Sequence, residues 1–206
     1  MTRRLYRIAV RPGEEGTFRK AAVGLTEDVA REVGLDRFAL FYQGSTAWLL
    51  LEGAVEEPAK ALFESSKTRK AAEAMAAHSD FSADRAASLA VAETFHEGAA
   101  GAGIPLAFGL RILPGHAAAF RAAALGWRAD PFLGAGASEA ALFAGDEDAF
   151  LVVGAPDAHF VERLVGDPAA RRVLADIARH TDLTLSDPSR DALVEVHHAL
   201  DVSRAW

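Results

Sequence analysis

Cysteine is absent from all 206 residues. That excludes disulfides, thiolate metal sites, iron–sulfur clusters and a thiol nucleophile. Basic residues are the minority charge: 22 Lys and Arg stand against 29 Asp and Glu, for a net charge of −7. A phosphate-backbone binder needs clustered positive charge, so no nucleic-acid partner is expected. No apolar run approaches the roughly 18 residues that span a bilayer. Met1-Thr2-Arg3-Arg4 is followed by alternating arginines and apolar residues rather than a signal-peptide core. A soluble cytoplasmic protein without a membrane partner is the expectation. Also missing are a Walker loop, a GxGxxG on a strand–helix turn, HExxH and GxSxG. No metal and no cofactor is therefore expected. What is present is apolar content, 50% of residues, enough for sizeable cores.

That content is organised as a repeat. At a shift of 102 residues, 22 of the 91 positions from 6 to 96 are identical, without a gap. Composition alone gives about 8. Pro12-Gly13 meets Pro114-Gly115, Phe18-Arg19 meets Phe120-Arg121, and Ala39-Leu40-Phe41 meets Ala141-Leu142-Phe143. His78-x-Asp80 meets His180-x-Asp182, and Glu93 and His96 meet Glu195 and His198. The reading is two units, 1–97 and 104–206, joined by a small-residue linker at 98–103.

Each unit reads β-α-β-β-α-β. Leu5 to Arg11 alternates as a strand and stops at Pro12-Gly13. Phe18, Ala22, Leu25, Val29 and Val33 carry helical spacing up to Gly34. Phe38–Gln43 and Ala47–Glu52 flank Gly44-Ser45 as a hairpin. A second helix from 56 to 77 should break near Ser65-Ser66, where the second copy has Asp167-Pro168, an N-cap followed by a first-turn proline. Ser88 to His96 is the fourth strand. In the second copy Pro131 and Gly134 should interrupt the first helix. Trp127 beside them is either a pocket wall or part of a shortened helix.

The fold class is thus α+β: two tandem ferredoxin-like (βαββαβ) units packed sheet to sheet, as in dimeric α+β barrels. Tyr6, Ile8 and Val10, with Phe108, Leu110 and Ile112, should face the helices. Arg7, Arg11 and Arg111 fall on the other face, towards an inter-sheet cavity. With the fourth strand beside the first, Arg7–Glu93 and Arg111–Glu195 become facing pairs. Two readings stay open for them: ion pairs at the cavity edge, or a polar set for an anionic or phenolic ligand.

Gly34-Leu-Asp-Arg37-Phe-Ala-Leu40-Phe41, Ala47-Trp48-Leu-Leu-Leu-Glu52, Ala92-Glu93-Thr-Phe95-His96 and Val194-Glu195-Val-His197-His198 together carry a resemblance. The chain resembles aromatic polyketide cyclases of the tetracenomycin type, and the SchA/CurD-like proteins of polyketide clusters. Related α+β barrels include cofactor-independent oxygenases that act on anthrones. The resemblance implies a small aromatic or polyketide ligand, polyketide synthase components as partners, and a monomer or homodimer. The cyclases' third-strand histidine has no counterpart: those strands read Trp48-Leu-Leu-Leu51 and Phe150-Leu-Val-Val153.

The candidate chemistry therefore lies elsewhere. His197 shares the parity of Glu195, and its repeat partner is Phe95, which makes it the best general-base candidate. Arg7, Arg111, Glu93 and Glu195 complete the catalytic set. Trp48, Phe150, Tyr42, Arg11 and Trp127 are the substrate-binding candidates, with Trp48 and Phe150 as aromatic walls for a flat ligand. His78 and His180 are read as helix-end residues, and His116 and His159 as exposed helix starts. Three functions follow: a cyclase that orients a poly-β-keto chain, a cofactor-independent monooxygenase, and a non-catalytic ligand-binding or scaffold protein.

Overall fold

The computed structural model of the chain describes residues 2–25, 27–99, 103–157 and 159–183, and the backbone of 195–201. It divides into two compact units. The first runs to Val91 and takes in the strand that begins at Glu195; the second begins at Ala92. Of the expected linker, Gly98 closes a strand, Gly103 precedes one, and 100–102 lie outside the described residues.

In the first unit β1 (Thr2–Ala9) is followed by α1 (Glu15–Ala22), α2 (Glu27–Glu32), β2 (Leu35–Gln43), β3 (Thr46–Gly53), α3 (Pro58–Glu64), α4 (Arg69–Ala76), α5 (Ala86–Leu89) and the start of β4 (Ala90–Gly98). The expected helix break at Ser65-Ser66 is present between α3 and α4. The strands are antiparallel: β3 pairs with β1 on one side and β2 on the other. β8 (Glu195–Asp201) pairs with the outer side of β2. The β2–β3 turn needs only Gly44 and Ser45, because Gly44 takes a φ of 59°.

The second unit repeats the plan: β5 (Ile104–Arg111), α6 (Ala117–Ala124), α7 (Asp130–Gly134), β6 (Glu139–Ala144), β7 (Asp148–Ala155), α8 (Phe160–Gly166) and α9 (Pro168–Ala178). Its sheet runs β5-β7-β6-β4. Asp167 caps α9, its carboxylate accepting from the backbone N–H groups of Ala169 and Ala170. The first helix is divided before Pro131 and not at it: α6 ends at Ala124 and Pro131 lies in the first turn of α7, while Trp127 packs edge-on to Phe120 with 5.4 Å between ring centres.

Both helix-facing cores match the alternation of the strands. Tyr6, Ile8, Val10, Leu40, Leu49 and Leu51 pack with Phe18, Leu62 and Met75. Phe108, Leu110, Ile112, Leu142 and Leu151 pack with Phe120, Leu164 and Leu174.

The strand order differs from expectation. A ferredoxin-like unit sets its fourth strand beside its first. Here β4 meets β1 only at Tyr6–Ala90 and Leu5–Val91, then pairs with β6 from Ala92 onward. β8 pairs with β2 of the first unit. Each repeat's fourth strand thus lies against the second strand of the other repeat. The register partners of Glu93 and Glu195 are Phe143 and Tyr42, not the first-strand arginines. Alternation cannot foresee this, because it specifies which face a side chain takes and not which edge a strand joins.

Gly53 marks a tight crossing. A Cβ there would come within 2.2 Å of the Gly34 carbonyl oxygen, and Ala54 N–H donates to that same oxygen. Gly53→Ala is expected to lower stability by about 1–3 kcal/mol, read as a fall in the thermal midpoint. An unchanged midpoint would show that the β3 end relaxes freely.

Candidate active site on the helix-free sheet faces

The β1–β3–β2 register places nine side chains on the face turned away from the helices, in three rows. Arg3 and Arg37 lie opposite Glu52, Leu5 and Ala39 opposite Leu50, and Arg7 and Phe41 opposite Trp48. Eight of the nine are buried; Arg7 alone is half-buried. The Glu52 carboxylate is fully buried, and its Oε1 lies 2.7 Å from Arg3 Nη2 and 3.2 Å from Arg37 Nη1. The Arg7 guanidinium sits 6.0 Å from the centre of the Trp48 ring, at cation–π range.

The second unit carries the same rows with different chemistry. Gly109, Phe150 and Phe143 form the counterpart of the Arg7–Trp48–Phe41 row. Pro105, Gly154 and Glu139 stand where Arg3, Glu52 and Arg37 stand. The aromatic row is kept and the arginine–glutamate set is not. Glu139 is 1% exposed in its side chain, and His96 Nε2 lies 3.5 Å from its Oε1. His96 opposes Ala141 and Glu93 opposes Phe143, so both belong to this helix-free face.

The candidates read from sequence distribute as follows. Arg7, Trp48 and Phe150 are on helix-free faces as expected. Tyr42 is on the other side: it packs in the helix-facing core, edge-on to Phe18, with the Arg19 guanidinium 4.3 Å from its ring centre. Trp127 likewise belongs to the helix-facing core of its unit and walls no pocket on the sheet face. Arg11 and Arg111 are exposed at strand ends, and Glu93 is exposed on β4. For His197 the backbone alone is described. It falls at a β-bulge, since Val196 opposes Phe41 and His198 opposes Leu40. Bulges re-aim side chains. The side chains of His197 and Glu195 lie outside the described residues.

The repeated His-x-Asp motif has a structural role. Asp80 accepts from the Ala9 N–H at 2.8 Å, and Asp182 accepts from the Arg111 N–H at 2.8 Å. His78 Nδ1 lies 3.2 Å from a Glu14 carboxylate oxygen, and His180 Nδ1 lies 3.3 Å from His116 Nδ1. Arg3, Arg37, Glu52 and Glu139 escaped the sequence reading. The available signal was a glutamate closing the apolar run Trp48–Leu51.

Burial pushes the Tyr42 phenol well above its ordinary range, against the lowering influence of Arg19. Tyr6 is raised as well, again chiefly by burial. The folded chain therefore keeps these protons where the unfolded chain has lost them. That stabilisation is complete below about pH 10 and is lost as pH rises further. Between pH 9 and 11 the wild type should lose more thermal stability than Tyr42→Phe, by about 1 kcal/mol. Parallel curves would refute it.

Among the described residues, no group of three or more His, Asp or Glu is placed to hold a metal ion. Nor is any helix among them long and apolar enough to cross a membrane.

No protein-family model matches the sequence, and no curated protein matches it. Solved structures do. A "putative monooxygenase" from Lactobacillus acidophilus superposes with a TM-score of 0.59 at 9% identity, over 98% of this chain and 97% of that one. A "putative monooxygenase" from Fusobacterium nucleatum gives 0.59 at 9% identity, over 97% and 93%. The chain shares their α+β fold. At this identity the likeness speaks for the fold, and function must be argued from the site.

Proposed function

We propose that the chain is a tailoring enzyme for aromatic polyketide-like phenols, and that its reaction is a cofactor-independent oxygenation. The observation that carries this reading is the Arg7–Trp48–Phe41 row: a half-buried guanidinium against a buried indole, in line with a buried phenyl ring. A flat, electron-rich substrate stacks on such a row, and the guanidinium offsets the charge that develops on its oxygen. The fold shared with two proteins described as monooxygenases supports the same class.

The reaction balances without an added reductant. A phenol or anthrone loses a proton to give a delocalised anion. The anion reduces molecular oxygen, and a ring CH₂ becomes a carbonyl. One oxygen atom enters that carbonyl and the other leaves as water, so the substrate supplies all four electrons.

The test is oxygen uptake by the purified chain with an anthrone, run under ¹⁸O₂. One labelled oxygen in the product and one O₂ consumed per turnover are expected. Ring closure of a poly-β-keto substrate without oxygen uptake would assign a cyclase instead. Tight binding with no turnover would assign a binding protein.

A further inference from the structure

The repeat sets an imidazole in the same place twice and gives it different company. In the first unit His78 Nδ1 lies 3.2 Å from a Glu14 carboxylate oxygen. At the same two positions the second unit has His180 and His116, and there Nδ1 lies 3.3 Å from Nδ1. The exchange of glutamate for His116 removes a carboxylate that attracts an imidazolium. Two imidazolium ions at that distance would repel, so the facing nitrogens have room for one proton between them.

The backbone holds the pair in place. His116 directly precedes α6, and its N–H donates to the Leu113 carbonyl oxygen. Leu113 N–H donates in turn to the carbonyl oxygen of His180, just past the end of α9. Ile112 and Thr181 form a β-bridge beside them, and Phe120 packs edge-on to the His180 ring. Both histidines are half-buried and have exposed sequence neighbours, Gly115 and Arg179. All of these residues belong to the second unit. The ring centres stand 5.5 Å apart, farther than the two Nδ1 atoms, so the rings turn those nitrogens towards each other. Their spacing is that of two ligands on one ion. Imidazole nitrogens bind zinc at about 2.0–2.1 Å, and at the tetrahedral angle two of them stand about 3.3–3.4 Å apart. Imidazole suits zinc, nickel and copper ions, and the chain has no cysteine to compete for them.

We infer that His116 and His180 form a two-histidine site for a divalent transition-metal ion of the zinc class, bound through both Nδ1 atoms. Among the described residues no third His, Asp or Glu completes the set, so water fills the remaining positions. The proton between the rings is displaced, and each ring then carries its N–H at Nε2. The ion ties the start of α6 to the chain leaving α9. The site is independent of the oxygenase reading.

The experiment is equilibrium dialysis of the full chain against zinc chloride at neutral pH, where imidazole is mostly uncharged. It compares the wild type with His116→Ala, His180→Ala and His159→Ala, the last an exposed histidine of the same unit. An outer-shell partner alone is worth about 10–100-fold in metal affinity, so losing a direct ligand should weaken one zinc equivalent at least tenfold. His159→Ala should leave that equivalent unchanged. Magnesium, a hard ion that takes oxygen ligands, should not compete. Should the alanine variants fail to fold, the wild type decides through long-range ¹H–¹⁵N spectra. Saturating zinc should then move the Nδ1 resonances of both His116 and His180 and leave their protons on Nε2. Three results would overturn the inference: unchanged affinity in His116→Ala and His180→Ala, equal weakening in His159→Ala, or Nδ1 resonances that zinc does not move.

Discussion

Glu52→Leu is expected to lower the unfolding free energy by about 3–5 kcal/mol. The carboxylate is fully buried, and its Oε1 accepts from two guanidinium groups that are themselves 8% and 5% exposed as residues. Leucine fills much of the same volume and removes the charge. It thus leaves two buried cations without the anion placed between them. The cost is the desolvation of those cations, which the carboxylate had offset. Apolar replacement of the whole set is a different matter. The neighbouring row, Leu5–Leu50–Ala39, already packs without charge on the same face. The second unit builds the same strands with proline, glycine and glutamate in these places. Arg3→Met/Arg37→Met/Glu52→Leu should therefore recover much of the loss. Denaturant unfolding of the three proteins decides it. A Glu52→Leu penalty under about 1 kcal/mol would show that the set contributes little.

The parts of this protein that could be read from its sequence are those that alternation and repetition encode. Tyr6, Ile8 and Val10 share a parity, and so do Phe108, Leu110 and Ile112; both sets face helices. Asp167-Pro168 announces a helix start through one carboxylate and one missing N–H, and α9 starts there. Arg3, Arg37 and Glu52 could not be assembled in the same way. They come from three strands, and only the register that sets Glu52 opposite both arginines makes them one group. Tyr42 misled for a related reason. It stands near the end of its strand, within reach of a pocket mouth, yet its parity with Leu40 puts it among the helix-side residues. Trp127 suggested a pocket wall because Pro131 and Gly134 follow it, yet it packs edge-on to Phe120 in the helix-facing core. The exchange of fourth strands had no local signal at all, because β4 and β8 carry the same alternation whichever neighbour they join.

The largest loss of turnover is expected from Arg7→Ala. In the proposed reaction the substrate anion is the species that meets oxygen, so whatever lowers the energy of that anion raises the rate. The Arg7 guanidinium lies 6.0 Å from the centre of the Trp48 ring, and a guanidinium presents its N–H groups in a fixed fork, so it loses less freedom per hydrogen bond than an ammonium. Such a preorganised donor at a developing oxyanion is worth about 10²–10³-fold in kcat. Because the charge develops after binding, KM should move far less than kcat. Arg7→Lys keeps the charge but not the fork or the stacking, and should recover only part of the rate. Arg111→Ala is the informative contrast. Arg111 was an equal candidate by sequence, but it is exposed at the end of β5, and its backbone N–H is engaged by Asp182. Its loss should leave kcat within about twofold of wild type, since an exposed charge is screened. Equal losses in Arg7→Ala and Arg111→Ala would mean that net positive charge, and not the Arg7–Trp48 pair, draws and holds the anion. A normal kcat in Arg7→Ala would remove the row from the reaction altogether and return the search for the anion's partner to the second unit, where His96 and Glu139 stand beside the other aromatic row.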